Sequence, residues 1–182
     1  MSDWISETLY DNGTLINKLG IKDKAQLAQK EFEITAQREI FLLDQRLKIN
    51  SINDLNKIHE FLFSPLYDWA GKLRPGNFAK GNTVFFDYSR FSYAQEDIDH
   101  ILLMQRKKRN LETKDYAELM DLINYMHPFR EGNGRSTRLF LQCYAYQHGQ
   151  LIDYPLSNDG LIAALNEADT DKIAELIRLE IP

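Results

Sequence analysis

Apolar residues in this chain recur mostly at spacings of three and four, the period of a helix buried along one face, not at the alternation of a half-buried strand. Ala28, Phe32, Ile40, Leu43 and Leu47 form a stripe on a long first helix, with Asp23 as its N-cap. Leu55, Ile58 and Leu62 mark a shorter helix that stops before Pro65. Ser92-x-x-Gln95 reads as a capping box opening a helix through Ile98, Ile101 and Leu102. Tyr116, Leu119, Met120, Ile123 and His127 predict a helix from about Lys114 to Met126, with Thr113 as N-cap and Pro128 closing it. Another runs from about Arg135 to Gln147 and stops at Gly149. Two short helices follow Ser157 and Asp169, carrying Leu161, Leu165, Ile173 and Ile177.

One region breaks this rhythm. Gly71 to Phe91 contains Pro75, three glycines and the β-prone run Thr83-Val84-Phe85-Phe86, which predicts a hairpin bounded by Arg74 and Tyr88. It reads equally as a connecting loop whose Phe85 and Phe86 cover the core, or as a flap that pairs an extended peptide along an exposed edge.

Composition narrows the function classes. At 182 residues the chain is long enough for a real core in one domain. A net charge of −5, from 22 basic and 27 acidic residues, weighs against non-specific nucleic-acid binding. The basic cluster Arg106-Lys107-Lys108-Arg109 ends a predicted helix, where cations complement the dipole. With Cys143 as the single cysteine no intramolecular disulfide can form, which fits a reducing cytoplasm, and Cys143 falls on the apolar side of its helix. No membrane span or signal peptide is visible, and the four histidines lack metal-ligand spacing.

The chemistry concentrates in His127-Pro-Phe-Arg-Glu-Gly-Asn-Gly-Arg-Ser-Thr-Arg138. His127, at a helix end, offers an imidazole suited to accept a proton near neutral pH. Gly132-Asn133-Gly134 can turn successive amides into one anion nest, directly before a helix N-terminus that favours phosphate. Arg135 and Arg138 lie on neighbouring parts of one helix face and can chelate phosphate oxygens. Glu131 offers a hard carboxylate oxygen of the kind that holds Mg²⁺ together with substrate phosphates. Singly, each has a plainer reading: a solvated histidine, a surface charge, a tight turn, paired arginines. Together and in this order they suit a nucleotide phosphate. The segment is no P-loop, since no Gly-Lys-Ser/Thr follows the glycines, and no Rossmann turn, since a helix precedes it.

This order also resembles the signature of the Fic family, His-x-Phe-x-Asp/Glu-Gly-Asn-Gly-Arg-x-x-Arg, at every fixed position. Leu15-Ile16-Asn17-Lys18-Leu19-Gly20-Ile21, Tyr67-Asp68-Trp69-Ala70-Gly71-Lys72-Leu73-Arg74 and Lys80-Gly81 before Phe85 resemble further segments of that family. The resemblance implies an all-α fold: a bundle of about six to eight helices with a short β-hairpin flap over the active site. It implies one domain over residues 1–182, with its core at about 12–180, its flap at about 72–90 and the signature loop at 127–138. The implied activity is transfer of AMP from ATP to a protein hydroxyl, with Mg²⁺, leaving pyrophosphate. His127 is then the base, Glu131 the Mg²⁺ ligand, and Asn133 with the Gly132 and Gly134 amides the anion hole for the α- and β-phosphates. Arg135 serves the β-phosphate side and Arg138 the γ-phosphate; Phe129 anchors the loop. The flap residues Asn77, Lys80, Gly81, Val84 and Phe85 align the target segment.

The Doc branch, a kinase, departs from Gly-Asn-Gly-Arg and carries a lysine in the loop, which this chain lacks, so AMP transfer is preferred over a Doc-like kinase and over a non-catalytic nucleotide-binding module. Nothing points to phosphocholine transfer. The short length points to a cytoplasmic bacterial toxin of a toxin–antitoxin pair, acting on a target such as a type II topoisomerase subunit, with secreted effectors also in the family. Many members carry an inhibitory helix, Ser/Thr-x-x-x-Glu-Gly/Asn. Here Thr35-x-x-x-Glu39 is followed by Ile40, and Ser92-x-x-x-Glu96 by Asp97, so both are read as ordinary helix residues. The expectation is a small helical antitoxin that contacts Arg138 in trans, with Glu175 or Glu180 as degenerate internal alternatives.

Overall fold

The computed structural model describes residues 3–81, 83–108, 110–155 and 158–182. Arg109 of the basic cluster and Ser157 before the penultimate helix therefore lie outside the described residues. Among those described, seven α-helices make the body: α1 (Lys24–Asp44), α2 (Asn53–Phe63), α3 (Phe91–Gln105), α4 (Thr113–Met126), α5 (Asn133–Gln147), α6 (Asp159–Glu167) and α7 (Thr170–Leu176). Helix α4 is central and packs against α3, α5, α6 and α7, while α2 lies along α5. Strands β1 (Ala79–Lys80) and β2 (Thr83–Val84) form the expected antiparallel hairpin, pairing Ala79 with Val84 and Lys80 with Thr83. A second small antiparallel pair, β3 (Leu151–Asp153) with β4 (Arg178–Glu180), ties the C-terminal residues to the end of α5. Three-residue segments of this kind carry too little alternation to be read in advance.

Several boundaries differ from the sequence expectation for a physical reason. Asp23 does cap α1, accepting from the Gln26 amide at 2.7 Å. The first turn of α4 is instead fastened by Asp115, which accepts from the Glu112 amide at 2.9 Å, so Thr113 is its first residue and not its cap. Ser92 sits inside α3, because a short 3₁₀ turn, Tyr88–Arg90, capped by Asp87 leads straight into it. Helix α5 begins two residues earlier than expected, at Asn133.

The largest correction concerns α1. Phe32 and Ile40 are 68 % and 70 % exposed, and Ala28 and Leu43 also face solvent. The buried positions are Leu27, Thr35 and Leu42, with Glu31, Ile34 and Arg38 half-buried between them. The inward face therefore carries polar side chains with partners: Arg38 donates to the Phe61 carbonyl and stacks on the Phe61 ring at 4.1 Å. A stripe drawn through the apolar residues alone picks the wrong face when the right one performs polar work.

Candidate active site

The 127–138 segment sits where α4 ends and α5 begins. His127 closes α4 in the left-handed conformation (φ 42°), its amide still bonded to the Ile123 carbonyl. A non-glycine residue there costs roughly 1 kcal/mol, so surrounding contacts must hold it. Arg74 does this. Its Nε donates to the His127 carbonyl at 2.9 Å, its other guanidinium nitrogens reach the Gly76 and Phe86 carbonyls at the flap base, and it stacks on Phe91. Arg74 is 2 % exposed, and burial pulls its pKa down to about 10. In the sequence Arg74 stands only as a hairpin boundary and the end of a motif resemblance, because a lone arginine carries no sign that it will be buried among carbonyls.

The His127 ring lies beneath the flap, stacked on Phe85 at 3.8 Å and near Phe78 at 5.7 Å. The covering role of the hairpin holds in part: Phe85 is buried, yet the hairpin covers a cavity rather than the core alone. Burial drives the His127 pKa down to about 4, with Arg74 and Lys80 adding to the effect and the Asn124 backbone opposing it. Nδ1 is buried without a well-formed hydrogen bond. The ring is therefore neutral at pH 7.

Asn133 turns its side chain back into the loop, accepting from the Phe129 amide at 2.9 Å and donating to the Phe129 carbonyl at 3.0 Å. Its amide group is thus spent on loop shape. Gly132 adopts φ 80°, and a Cβ there would meet the Phe63 ring at 2.5 Å. A second buried histidine, His59, fixes the other side of the loop. Its Nδ1 accepts from the Gly71 amide at 2.8 Å, which leaves Nε2 to donate to the Glu131 carbonyl at 2.9 Å, and its ring stacks on Phe129 at 3.8 Å. Burial lowers its pKa to about 4, so it too is neutral.

Two cavities flank the loop. One of about 380 Å³ is lined at one end by His127, Asn133, Gly134 and Thr137, and under the flap by Lys80, Thr83 and Phe85. Its far wall is apolar, from Met120, Tyr154, Leu161, Ile162 and Leu165. Leu161 is buried in the core as expected and Leu165 packs against it; both also line this cavity because α6 ends beside the flap. The other cavity, about 370 Å³, receives Glu131, Arg130 and Arg135. Arg135 is held there by Glu31 of α1, which also accepts from the Tyr67 hydroxyl, and its guanidinium stacks on Phe63 at 4.7 Å. Arg138 lies apart from both cavities and pairs with Asp153. Glu39, read as an ordinary helix residue, is half-buried close enough to Arg135 and Arg138 for their charge to oppose the upward pKa shift that burial causes. Of the flap residues, Gly81 takes φ 59° at the turn and Val84 is 70 % exposed. Asn77 is structural: its side chain accepts from the Tyr88 amide at 3.2 Å and its carbonyl from Trp4.

The site can thus hold an anion at the α5 N-terminus with an apolar group behind it, next to a neutral imidazole under a β-flap. Residues 49–145 match the model of the Fic/DOC family, which is more than half of the chain. The chain belongs to the Fic/DOC family. It is 34 % identical over 151 residues to protein adenylyltransferase VbhT of Bartonella schoenbuchensis, covering 79 % of this chain and 31 % of that protein. To the probable protein adenylyltransferase Fic of Escherichia coli it is 28 % identical over 152 residues, covering 80 % of this chain and 72 % of the other. The chain spans about a third of the length of the first curated relatives it matches. Among solved structures, the N-terminal Fic domain of a Bartonella effector protein from strain AR 15-3 superposes with a TM-score of 0.84 at 22 % identity, over 97 % of this chain and 91 % of the other. The effector BepA gives 0.80 at 25 % identity over 94 % and 67 %. A Bartonella tribocorum BepC structure holds AMPPNP and gives 0.79 at 19 %, over 98 % of this chain and all of the other. These neighbours fix the Fic fold, with its helical body and hairpin flap.

Proposed function

We propose that this chain is a protein adenylyltransferase that moves AMP from ATP to a Tyr, Ser or Thr hydroxyl of a target protein, with residues 1–182 acting as one Fic domain. The observation that carries this reading is the neutral His127 ring, pinned under the flap at the mouth of a cavity whose floor is the α5 N-terminus. The apolar wall of Met120, Leu161 and Leu165 suits a purine, and the Gly132–Gly134 amides with the helix dipole suit the α- and β-phosphates. His127 takes the proton of the target hydroxyl as its oxygen bonds to the α-phosphorus. The bond from that phosphorus to the β-phosphate oxygen breaks, and pyrophosphate leaves. A pKa near 4 makes a weak base, but an arriving triphosphate raises it by its negative charge.

Glu131 is exposed beside the loop amides, with its carboxylate 3.5 Å from the Gly132 amide. No group of three metal-ligating side chains occurs among the described residues, which fits Mg²⁺ held by this one carboxylate and the phosphates it would accompany. Bound there, Mg²⁺ would neutralise charge on the phosphates. Arg135 and Arg138 would release Glu31 and Asp153 to meet the β- and γ-phosphates.

The deciding experiment is His127→Ala, assayed with α-labelled and γ-labelled ATP. Transfer of the α label should fall by about 10²–10⁴ while ATP binding and folding persist. Near-normal transfer by the folded variant, or transfer of the γ label alone, overturns the reading.

The targets proposed are bacterial cytoplasmic proteins such as a type II topoisomerase subunit, within a toxin–antitoxin pair. The exposed Phe32, Ile40 and Leu43 of α1 support a small helical antitoxin, since an apolar face on the helix whose Glu39 feels the charge of Arg138 suits an amphipathic helix bringing a carboxylate. Growth arrest that requires His127 and is relieved by a neighbouring small open reading frame is the expected result. The position of Glu39 favours a second reading, restraint from within: if Glu39→Gln raises the activity of the isolated chain, the brake is internal.

A further inference from the structure

A third cavity, about 540 Å³, lies beyond the flap from the α5 N-terminus. It shares Thr83, Phe85, Asn124, Leu165 and Asn166 with the cavity at His127, so the two spaces are adjacent. Strand β2 pairs with β1 along one edge, and its residues Thr83 and Val84, with Phe85 after them, all line this third space. Its opposite wall is α4, from Asp121 to Tyr125, and the Phe86 amide donates to the Tyr125 carbonyl at 2.9 Å, closing the end next to His127. A bond between the Thr83 hydroxyl and Asn166, at 2.9 Å, joins flap to α6 between the two cavities.

Among the described residues, Asp121 is the one acidic side chain on this wall. It is half-buried and has no ion-pair or hydrogen-bond partner among the described residues. Burial alone pushes its carboxyl up, with no neighbouring cation opposing the shift. A carboxylate that gives up water without gaining a partner is an unmet demand for a cation. His127 follows Asp121 by six positions, roughly 9 Å along the helix axis, or about three residues of extended chain.

We propose that this cavity receives an arginine or lysine side chain of the target protein, held by Asp121 a few residues from the hydroxyl that is modified. The site selects the substrate and takes no part in the chemistry. An extended target segment laid along β2 puts alternate side chains toward α4, so one of them reaches Asp121 while the hydroxyl reaches His127. The inference rests on the adenylyltransferase reading.

The test uses fluorescent peptides with one tyrosine and Arg, Ala or Glu at successive positions on either side. Binding is measured to the His127→Ala protein with Mg–ATP, and AMP transfer by the parent protein with α-labelled ATP. At one position on the tyrosine's own face of the strand, about two or four residues away, Arg should be preferred over Glu by about tenfold or more in both readouts, the size of a charge-assisted contact. Asp121→Asn should erase the preference and Asp121→Lys should reverse it, with KM for ATP unchanged. Equal binding of Arg and Glu peptides, binding of none, or a preference that survives Asp121→Asn overturns the proposal. So does a rise in KM for ATP in Asp121→Asn with peptide preference intact, because the cavity then belongs to the nucleotide. An Arg preference in binding without any AMP transfer keeps the Asp121 site and overturns the adenylyltransferase reading instead.

Discussion

Gly132→Ala tests how the signature loop is held. Two costs are separable. The backbone at φ 80° is left-handed, which charges any L side chain roughly 1–2 kcal/mol. The added Cβ also falls 2.5 Å from Cε2 and Cζ of Phe63, an aromatic ring with no exposed surface and no room to move, for which overpacking costs of about 1–3 kcal/mol apply. The sum is roughly 2–5 kcal/mol, a large part of the 5–15 kcal/mol typical of a folded domain. Gly13 supplies the control: its φ is 78°, and nothing lies within 4 Å of a Cβ built there, so Gly13→Ala carries the backbone cost alone. Urea unfolding of both variants should place Gly132→Ala below Gly13→Ala by the clash term. Because Phe63 also stacks under Arg135, Gly132→Ala should weaken binding of a non-hydrolysable ATP analogue, and Gly13→Ala should not. Equal stability of the two variants, or unchanged nucleotide binding by Gly132→Ala, would refute the argument that Phe63 sets the loop.

The remaining predictions concern the groups that orient the site. Asn133→Ala strands the buried Phe129 amide and carbonyl, so it should cost about 2–4 kcal/mol in urea unfolding, and a loss under 1 kcal/mol would show the loop holds itself. Arg74→Lys should lower AMP transfer at least tenfold despite keeping its charge, because an ammonium cannot span the His127, Gly76 and Phe86 carbonyls at once; full activity would remove Arg74 from His127 positioning. His59 has a folded pKa of about 4, below its unfolded 6.5, so the unfolded chain binds more protons in that window and stability falls as pH drops from 6.5 toward 4. The contribution is on the order of 3 kcal/mol, and the drop in unfolding free energy between pH 7.5 and pH 5 should shrink in His59→Gln; an equal drop would place the acid sensitivity elsewhere. Activity should vanish with chelator and return with Mg²⁺ or Mn²⁺, and Glu131→Ala should weaken metal–nucleotide binding; full activity in chelator would remove the metal from the reaction.

The sequence revealed the helical body well where one face is uniformly apolar. Leu55, Ile58 and Leu62 on α2, and Tyr116, Leu119, Met120 and Ile123 on α4, are all buried as their spacing requires. It misled on α1 because Glu31, Thr35 and Arg38 occupy the inward face while Phe32 and Ile40 occupy the outward one. Polar residues turn inward there because they have distant partners, Arg135 and the Phe61 carbonyl, at separations no local pattern encodes.

The same division runs through the site. The contiguous residues 127–138 made the candidate site legible, since a helix end, a glycine turn and a helix start are local features. What holds them was hidden, because each brace comes from far along the chain: Arg74 at the His127 carbonyl, His59 at the Glu131 carbonyl, Glu31 at Arg135 and Phe63 under Gly132. Such braces explain how a loop containing two left-handed residues, His127 and Gly132, keeps one shape before any nucleotide arrives. Strain of this kind persists only when surroundings over-determine it. The α1 and α2 residues that looked like plain helix are therefore part of the candidate site's stiffness, and substitutions there should alter the proposed AMP transfer without touching substrate.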